Sequence, residues 1–119
     1  MKLDANGRRI SQLLVRWEDV RKVLTVHFEN RETEKTFIPM EEGIIIFLNL
    51  LFLTNDREWN EEEFNMMELQ WKPVNVLERI TFIKKRPNLF HSFIQLSELI
   101  TEQEKQFNKK MAIKKMTKH

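Results

Sequence analysis

Positions 44–53 read Ile-Ile-Ile-Phe-Leu-Asn-Leu-Leu-Phe-Leu, ten residues in which Asn49 is the one polar interruption. A helix needs about 20 apolar residues to cross a bilayer, so this stretch is not a span but an element that must be surrounded by protein. Pro39 suits the first helical position, because its φ is already fixed and its missing N–H would have no partner there. Glu41 and Glu42 then fall in the first turn, where negative charge suits the helix dipole. The resulting helix, about 39–54, is apolar around nearly its whole circumference, with only the Glu42 and Asn49 side polar. Such a helix belongs in the middle of a bundle. Gly43, near its start, either permits close approach of a neighbour or is incidental.

Two glycines in 119 residues, against a usual share of about 7%, argue for few tight turns and long helices. No Ser/Pro/Gly-rich linker separates a second domain, so one all-α domain over 1–119, a single bundle of about five helices, is expected. The first helix is predicted at about 7–29, where Ile10, Leu13, Leu14, Trp17, Val20, Leu24 and Phe28 recur in steps of three and four. A minor alternative is a short β-hairpin at about 23–38, since 23–28 and 34–38 are rich in β-branched and aromatic residues. After the turn at Asn55 and Asp56, Asn60 with Glu63 reads as a capping box for a short third helix carrying Phe64, Met67 and Leu69 inward. The triplet Glu61, Glu62 and Glu63 reads as dipole chemistry rather than as a metal site.

Pro73 breaks the chain, and Asn75 caps a fourth helix with Val76, Leu77, Ile80 and Ile83 on one stripe, ending before Pro87. Asn88 caps a fifth, to about 112. Its seam is Leu89, Phe93, Leu96, Ile100 and Phe107, with Gln103 in the vacant seam position and Met111 one turn beyond Phe107.

The charge is unevenly placed. Residues 105–119 hold six lysines and no acid, a local +6, whereas 1–104 hold 14 bases and 18 acids, a local −4. The lysine-rich end is read as a solvated helix end with a frayed tail at about 110–119, able to touch phosphates non-specifically. A whole-domain basic nucleic-acid binder is disfavoured. Absence of cysteine removes thiol catalysis, Cys-type zinc sites and disulfides. The first residues carry an acid and two arginines before any apolar stretch, unlike a secretory signal. A cytoplasmic protein is expected.

No glycine-rich phosphate loop, HExxH, GxSxG or EF-hand series occurs, and His27, His91 and His119 are too scattered for a metal site. Three surfaces remain as candidates. On the fourth helix, Asn75, Arg79, Phe82 and Arg86 fall at i, i+4, i+7 and i+11, with Lys72, Lys84 and Lys85 close in sequence. Two guanidiniums flanking an aromatic ring can hold a phosphate, a carboxylate or an acidic partner helix. Ion pairs with Glu78, Glu98 or Glu102 explain the same residues. On the fifth helix, His91, Gln95, Glu98 and Glu102 form a polar strip whose one acid/base pair is His91 with Glu98, read mainly as solvated surface. Trp71, beside Lys72 and Pro73, is either an interface anchor or a plug closing the bundle's end.

Three motifs between Lys72 and Leu99 go further. The steps Lys72, Pro73 and Asn75, then Glu78, Arg79, Phe82, Ile83, Arg86 and Pro87, then Ser92, Phe93, Gln95, Leu96, Glu98 and Leu99 resemble the signature of the YpoC-like family of bacterial proteins. The resemblance is firm over about a quarter of the chain, loose over about 40–112, and absent from the first 38 residues. It implies no activity, cofactor or catalytic residue. Genes of its members often neighbour replication and repair genes, which implies, by association alone, contact with nucleic acid or replication proteins. The expectation is a small protein-binding module without catalysis, cofactor, metal or membrane. Its candidate contact residues are Trp71, Lys72, Asn75, Arg79, Phe82, Arg86, His91 and Gln95, and its partner is an unidentified protein. The alternative is a nucleic-acid-associated protein touching phosphates through Arg79, Arg86 and the terminal lysines, and an enzyme built on His91 and Glu98 is the least favoured reading.

Overall fold

Four helices carry the fold in the computed structural model, which describes residues 5–60 and 65–117. They are α1 (Ala5–Glu29), α2 (Phe37–Thr54), α3 (Val76–Lys85) and α4 (Phe90–Met116), with single 3-10 turns at Thr33–Thr36 and Met66–Glu68. No strand occurs among the described residues. α2 is the centre, packed between α1 and α4, and α3 lies on α4. Its side chains from Met40 onward face protein on most sides, and Phe47 and Leu51 are fully buried. By length and composition Thr33–Thr54 could cross a bilayer. In this fold its apolarity is used against α1 and α4.

The hairpin alternative at 23–38 is overturned, because α1 continues unbroken through Glu29. Leu24 keeps the inward period, while Val23 and Val26 sit on the outer side, so the β-branched residues mark an exposed face rather than a strand. The helix then stops in a Schellman arrangement. Glu32 N–H donates to the His27 carbonyl at 2.8 Å, Arg31 N–H donates to that of Phe28 at 3.1 Å, and Arg31 takes φ 57°. The end of α2 repeats this, with Arg57 N–H on the Phe52 carbonyl, Asp56 N–H on that of Leu53, and Asp56 at φ 58°. Both glycines lie inside helices, so non-glycine residues take these left-handed positions.

Three sequence expectations need correction. The short third helix is, within the described residues, one 3-10 turn at Met66–Glu68. Met66 rather than the expected Met67 is buried with Leu69, Met67 being 67% exposed, and a spacing of three needs no more than such a turn. Glu63 and Phe64 lie outside the described residues, as do Glu61 and Glu62. Asn75 does precede α3, but in a left-handed conformation (φ 56°) and without a side-chain capping bond. The position before α4 is Leu89 rather than Asn88, again with no side-chain cap. Instead, buried Ser92 donates its Oγ–H to the Arg86 carbonyl at 2.5 Å and fixes the α3–α4 turn. The fifth predicted helix is thus α4, and it runs about one turn past its expected end.

The α1–α2 connection also carries the strongest acid shift. The Glu32 carboxylate receives Lys35 Nζ at 2.5 Å, faces His27 Nδ1 at 3.3 Å and accepts from Asn30 Nδ2 at 3.4 Å. These partners hold it at about 2. Asp56, bonded by Lys110, and Glu58, bonded by Arg9, are lowered in the same direction. A carboxylate depressed in the folded state adds stability that is present above its unfolded value, near 4.3, and is lost as pH falls through the folded value. Melting temperature should therefore fall as pH drops from about 4.5 towards 2, and Glu32→Gln should flatten part of that fall. Parallel curves for parent and variant would show that Glu32 plays no part in it.

Candidate functional site

The eight predicted contact residues divide into a group held inside the molecule and a group left on its surface. Trp71 belongs to the first. Its N–H donates to Asn55 Oδ1 at 2.8 Å, and its carbonyl accepts from Asn55 Nδ2 at 2.8 Å and from Gln103 Nε2 at 3.0 Å. The residue ties the end of α2 and the middle of α4 to the entry of α3. Lys72 stays local as well, donating from Nζ to the carbonyls of Met67 and Leu69, both at 2.8 Å.

Arg79 is the most heavily engaged cation among the described residues. It donates through Nη1 and Nη2 to Glu102 at 3.1 and 2.5 Å, through Nε to Gln95 Oε1 at 3.2 Å, and through Nη1 to the Val74 carbonyl at 3.1 Å. Glu98 lies a further 3.8 Å from Nη2. The Arg79 side chain is 19% exposed and clamps α3 to α4. Gln95 is consumed in the same clamp. Of the two readings open in sequence, ion pairing describes Arg79. Arg79→Met should then lower stability by about 1–2 kcal/mol, the charge-assisted bonds being discounted for partial exposure. Combination with Glu102→Gln should cost less than the sum of the single changes, and strict additivity in denaturant melts would contradict the clamp.

The second group is Phe82, Arg86 and His91. Phe82 is 38% exposed and meets the edge of His91 at 5.5 Å between ring centroids, 77° between planes. The Arg86 side chain makes no hydrogen bond or ion pair among the described residues, and the same holds for Lys85. Asn75 is exposed at the far end of α3, away from this corner. His91 turns to Phe82 and Glu98 to Arg79, so the one acid/base pair readable in sequence is not hydrogen-bonded. No group of three metal-ligating side chains is present among the described residues.

Sequence reasoning missed two features. A cleft of about 470 Å³ lies between the start of α2 and the end of α3, lined by Phe37, Ile44, Ile45, Leu48, Trp59 and Pro87, with Glu41 and Lys84 at its sides. The signal was present: a helix apolar all round needs cover on every side, and Ile45 lacks it. The second is Lys110, which donates to the Thr54 carbonyl at 2.6 Å and to Asp56 at 2.7 Å. The basic end of α4 thus also caps α2, a role that the lysine run itself does not announce.

Comparison with known proteins agrees with the motifs between Lys72 and Leu99 and extends them. The family model described as "YpoC-like protein" matches residues 7–115. A Bacillus subtilis (strain 168) protein named "Uncharacterized protein YpoC" is 33% identical over 109 residues, covering 87% of this chain. The match spans 65% of that protein's length. No solved structure matches. The match reaches back through α1, which sequence motifs alone left unassigned, and with it the chain belongs to the YpoC-like family.

Proposed function

We propose that this chain is a non-catalytic protein-interaction module whose contact surface is the corner where α3 turns into α4. The observation that carries the reading is that exposed rings, Phe82 and Phe90, flank in sequence a guanidinium, Arg86, that bonds to nothing among the described residues. Aromatic and arginine side chains dominate the energy of protein interfaces. The corner is rigid before any partner arrives, through Pro87 and the Ser92 bond to the Arg86 carbonyl, which lowers the ordering cost of association. Trp71, Lys72, Arg79 and Gln95 support that surface from within rather than forming it. The cysteine-free sequence suits a cytoplasmic location.

Affinity capture from cell extract, with and without nuclease, tests the reading. A defined partner should survive nuclease and be lost with Phe82→Ser and Arg86→Ala; Arg86→Ala should keep the parent melting temperature, and Phe82→Ser, which loses its ring contact with His91, should melt lower but stay folded. Retention of every captured protein by both variants would contradict it.

Association with nucleic acid is the second reading, supported by the helical, acid-free end of α4 beyond Glu104. Arg79 and Lys110 are committed internally, so its contacts would come from Arg86, Lys105, Lys109 and Lys115. Affinity for a DNA duplex falling steeply with salt, and falling further when these lysines are replaced, would favour it.

A further inference from the structure

Building on the corner as a contact surface, we propose that its partner is an acidic amphipathic segment of another protein, with apolar side chains on a ring-lined strip and carboxylates over the end of α3. The apolar half of the argument is continuity. On α4, Ile94 lies four residues from Phe90 and three from His91, so these side chains share one outward face. His91 carries the strip onto α3 through its edge contact with Phe82. Phe90 carries it towards α1, resting on Phe28 at 5.7 Å. Phe82, Ile94 and Phe90 keep 38, 37 and 58% of their surface exposed. A connected apolar strip across helices, unlike scattered single side chains, marks a place where something docks.

The charged half is an imbalance. Between residues 79 and 97 the chain holds Arg79, Lys84, Lys85 and Arg86 and no acid at all. Among the described residues Arg9, Arg16, Arg21 and Arg79 each hold a carboxylate of the molecule itself, whereas Arg31, Arg57 and Arg86 do not. Lys85, too, holds none among the described residues, and the first turn of α4 adds no acid. A favourable position at the negative end of α3 explains the presence of cations there, but not why the chain carries no acid from Arg79 to Ser97; Glu41 lines the adjoining cleft on the Lys84 side. Further along α4 the sign changes, since Glu98 and Glu102 gather around Arg79. The surface is therefore cationic at the corner and acidic beyond it. A partner helix is oriented by that gradient, its acidic end at Arg86. The same border of carboxylates repels a phosphate backbone, and two free cations are few for one, which favours a protein segment over a nucleic acid.

The test is selection of random displayed peptides, about four helical turns long, against the full chain, followed by fluorescence anisotropy of the recovered sequences. Recovered peptides should combine acids with apolar residues three and four apart. Their affinity should fall about tenfold with Phe82→Ser and with Arg86→Glu, less with Arg86→Gln, and should weaken with salt. The Arg86 variants should melt with the parent, and Phe82→Ser, which loses the ring contact with His91, should melt lower but remain folded at the assay temperature. Peptides that lose affinity with Phe82→Ser but carry no acids and ignore Arg86→Glu would overturn the acidic partner and leave the interaction surface standing. Peptides indifferent to all three substitutions would overturn both. Arg86-dependent binding of a single-stranded oligonucleotide, with no such dependence among peptides, would assign the corner to nucleic acid instead.

Discussion

Replacing Gly43 by leucine should lower the melting temperature by on the order of 10 °C, from a loss of about 3 kcal/mol. The reason is a three-helix contact. A Cβ at this position would lie 2.8 Å from Trp17 Cζ3 and 2.9 Å from Leu96 Cδ2, both closer than carbon atoms tolerate. Trp17 is a rigid ring on α1, 4% exposed, and Leu96 on α4 is fully buried, so neither can swing into solvent. Alanine is the finer test, because two effects oppose each other. In a helix interior, glycine to alanine gains about 1 kcal/mol of propensity, whereas overpacking a filled site costs about 1–3 kcal/mol. Steric cost should win, leaving Gly43→Ala modestly less stable than the parent and Gly43→Leu far less. If alanine stabilised the protein and leucine were neutral, the close approach of α1 and α4 across α2 would be wrong.

That contact shows where the sequence was legible and where it stopped. The unbroken apolar run was enough to set α2 at the centre, since an all-round apolar helix has nowhere else to go, but Pro39 misplaced its start: the helix opens at Phe37, Pro39 is its third residue, and Glu41 and Glu42 lie beyond the first turn. Gly43 could be flagged but not decided, because whether a glycine serves packing depends on which helices cross at it. The ends of elements were harder for a similar reason. Asn75 and Asn88 have the chemistry of N-caps, yet neither caps with its side chain. The α3–α4 turn is held by Ser92 six residues away from its acceptor, a bond invisible to any local rule.

The candidate surface was half legible. Spacing put Arg79, Phe82 and Arg86 on one side of α3 and left two readings for them. The structure separates the pair by what faces each one. Arg79 lies over the middle of α4, where Glu102 and Gln95 are within reach, whereas Arg86 caps the end of α3, where no carboxylate among the described residues pairs with it. Equal spacing along a helix does not give equal surroundings, because the neighbouring helix carries its acids, Glu98, Glu102 and Glu104, only in its middle. The same holds for Lys110, whose role depends on the end of α2, 54 residues earlier in the chain.

The second large effect is expected at Gln103, the polar residue in the α4 seam. It is 1% exposed, its Nε2 donates to the Trp71 carbonyl at 3.0 Å, and its Oε1 is buried without a partner. Gln103→Glu, nearly identical in shape, would set a carboxylate against that carbonyl and should cost about 3 kcal/mol at neutral pH. The loss should depend on pH. A glutamate here has its folded pKa raised above the unfolded value near 4.3, so its protonated form, which can donate to Trp71, is the stable one. Relative to the parent, the variant should be least impaired below about pH 4 and lose stability as pH rises, by up to about 1.4 kcal/mol per unit. Gln103→Met gives the control. Trp71 keeps its bond from Asn55 and the orphaned oxygen disappears, so the change should stay within about 1 kcal/mol of the parent. A methionine variant as damaged as the glutamate would mean that the amide bond to Trp71, rather than the burial of charge, holds the junction. A glutamate variant with no pH dependence would mean that water reaches the seam, and that Trp71 stands at a wet groove instead of closing the end of a dry core.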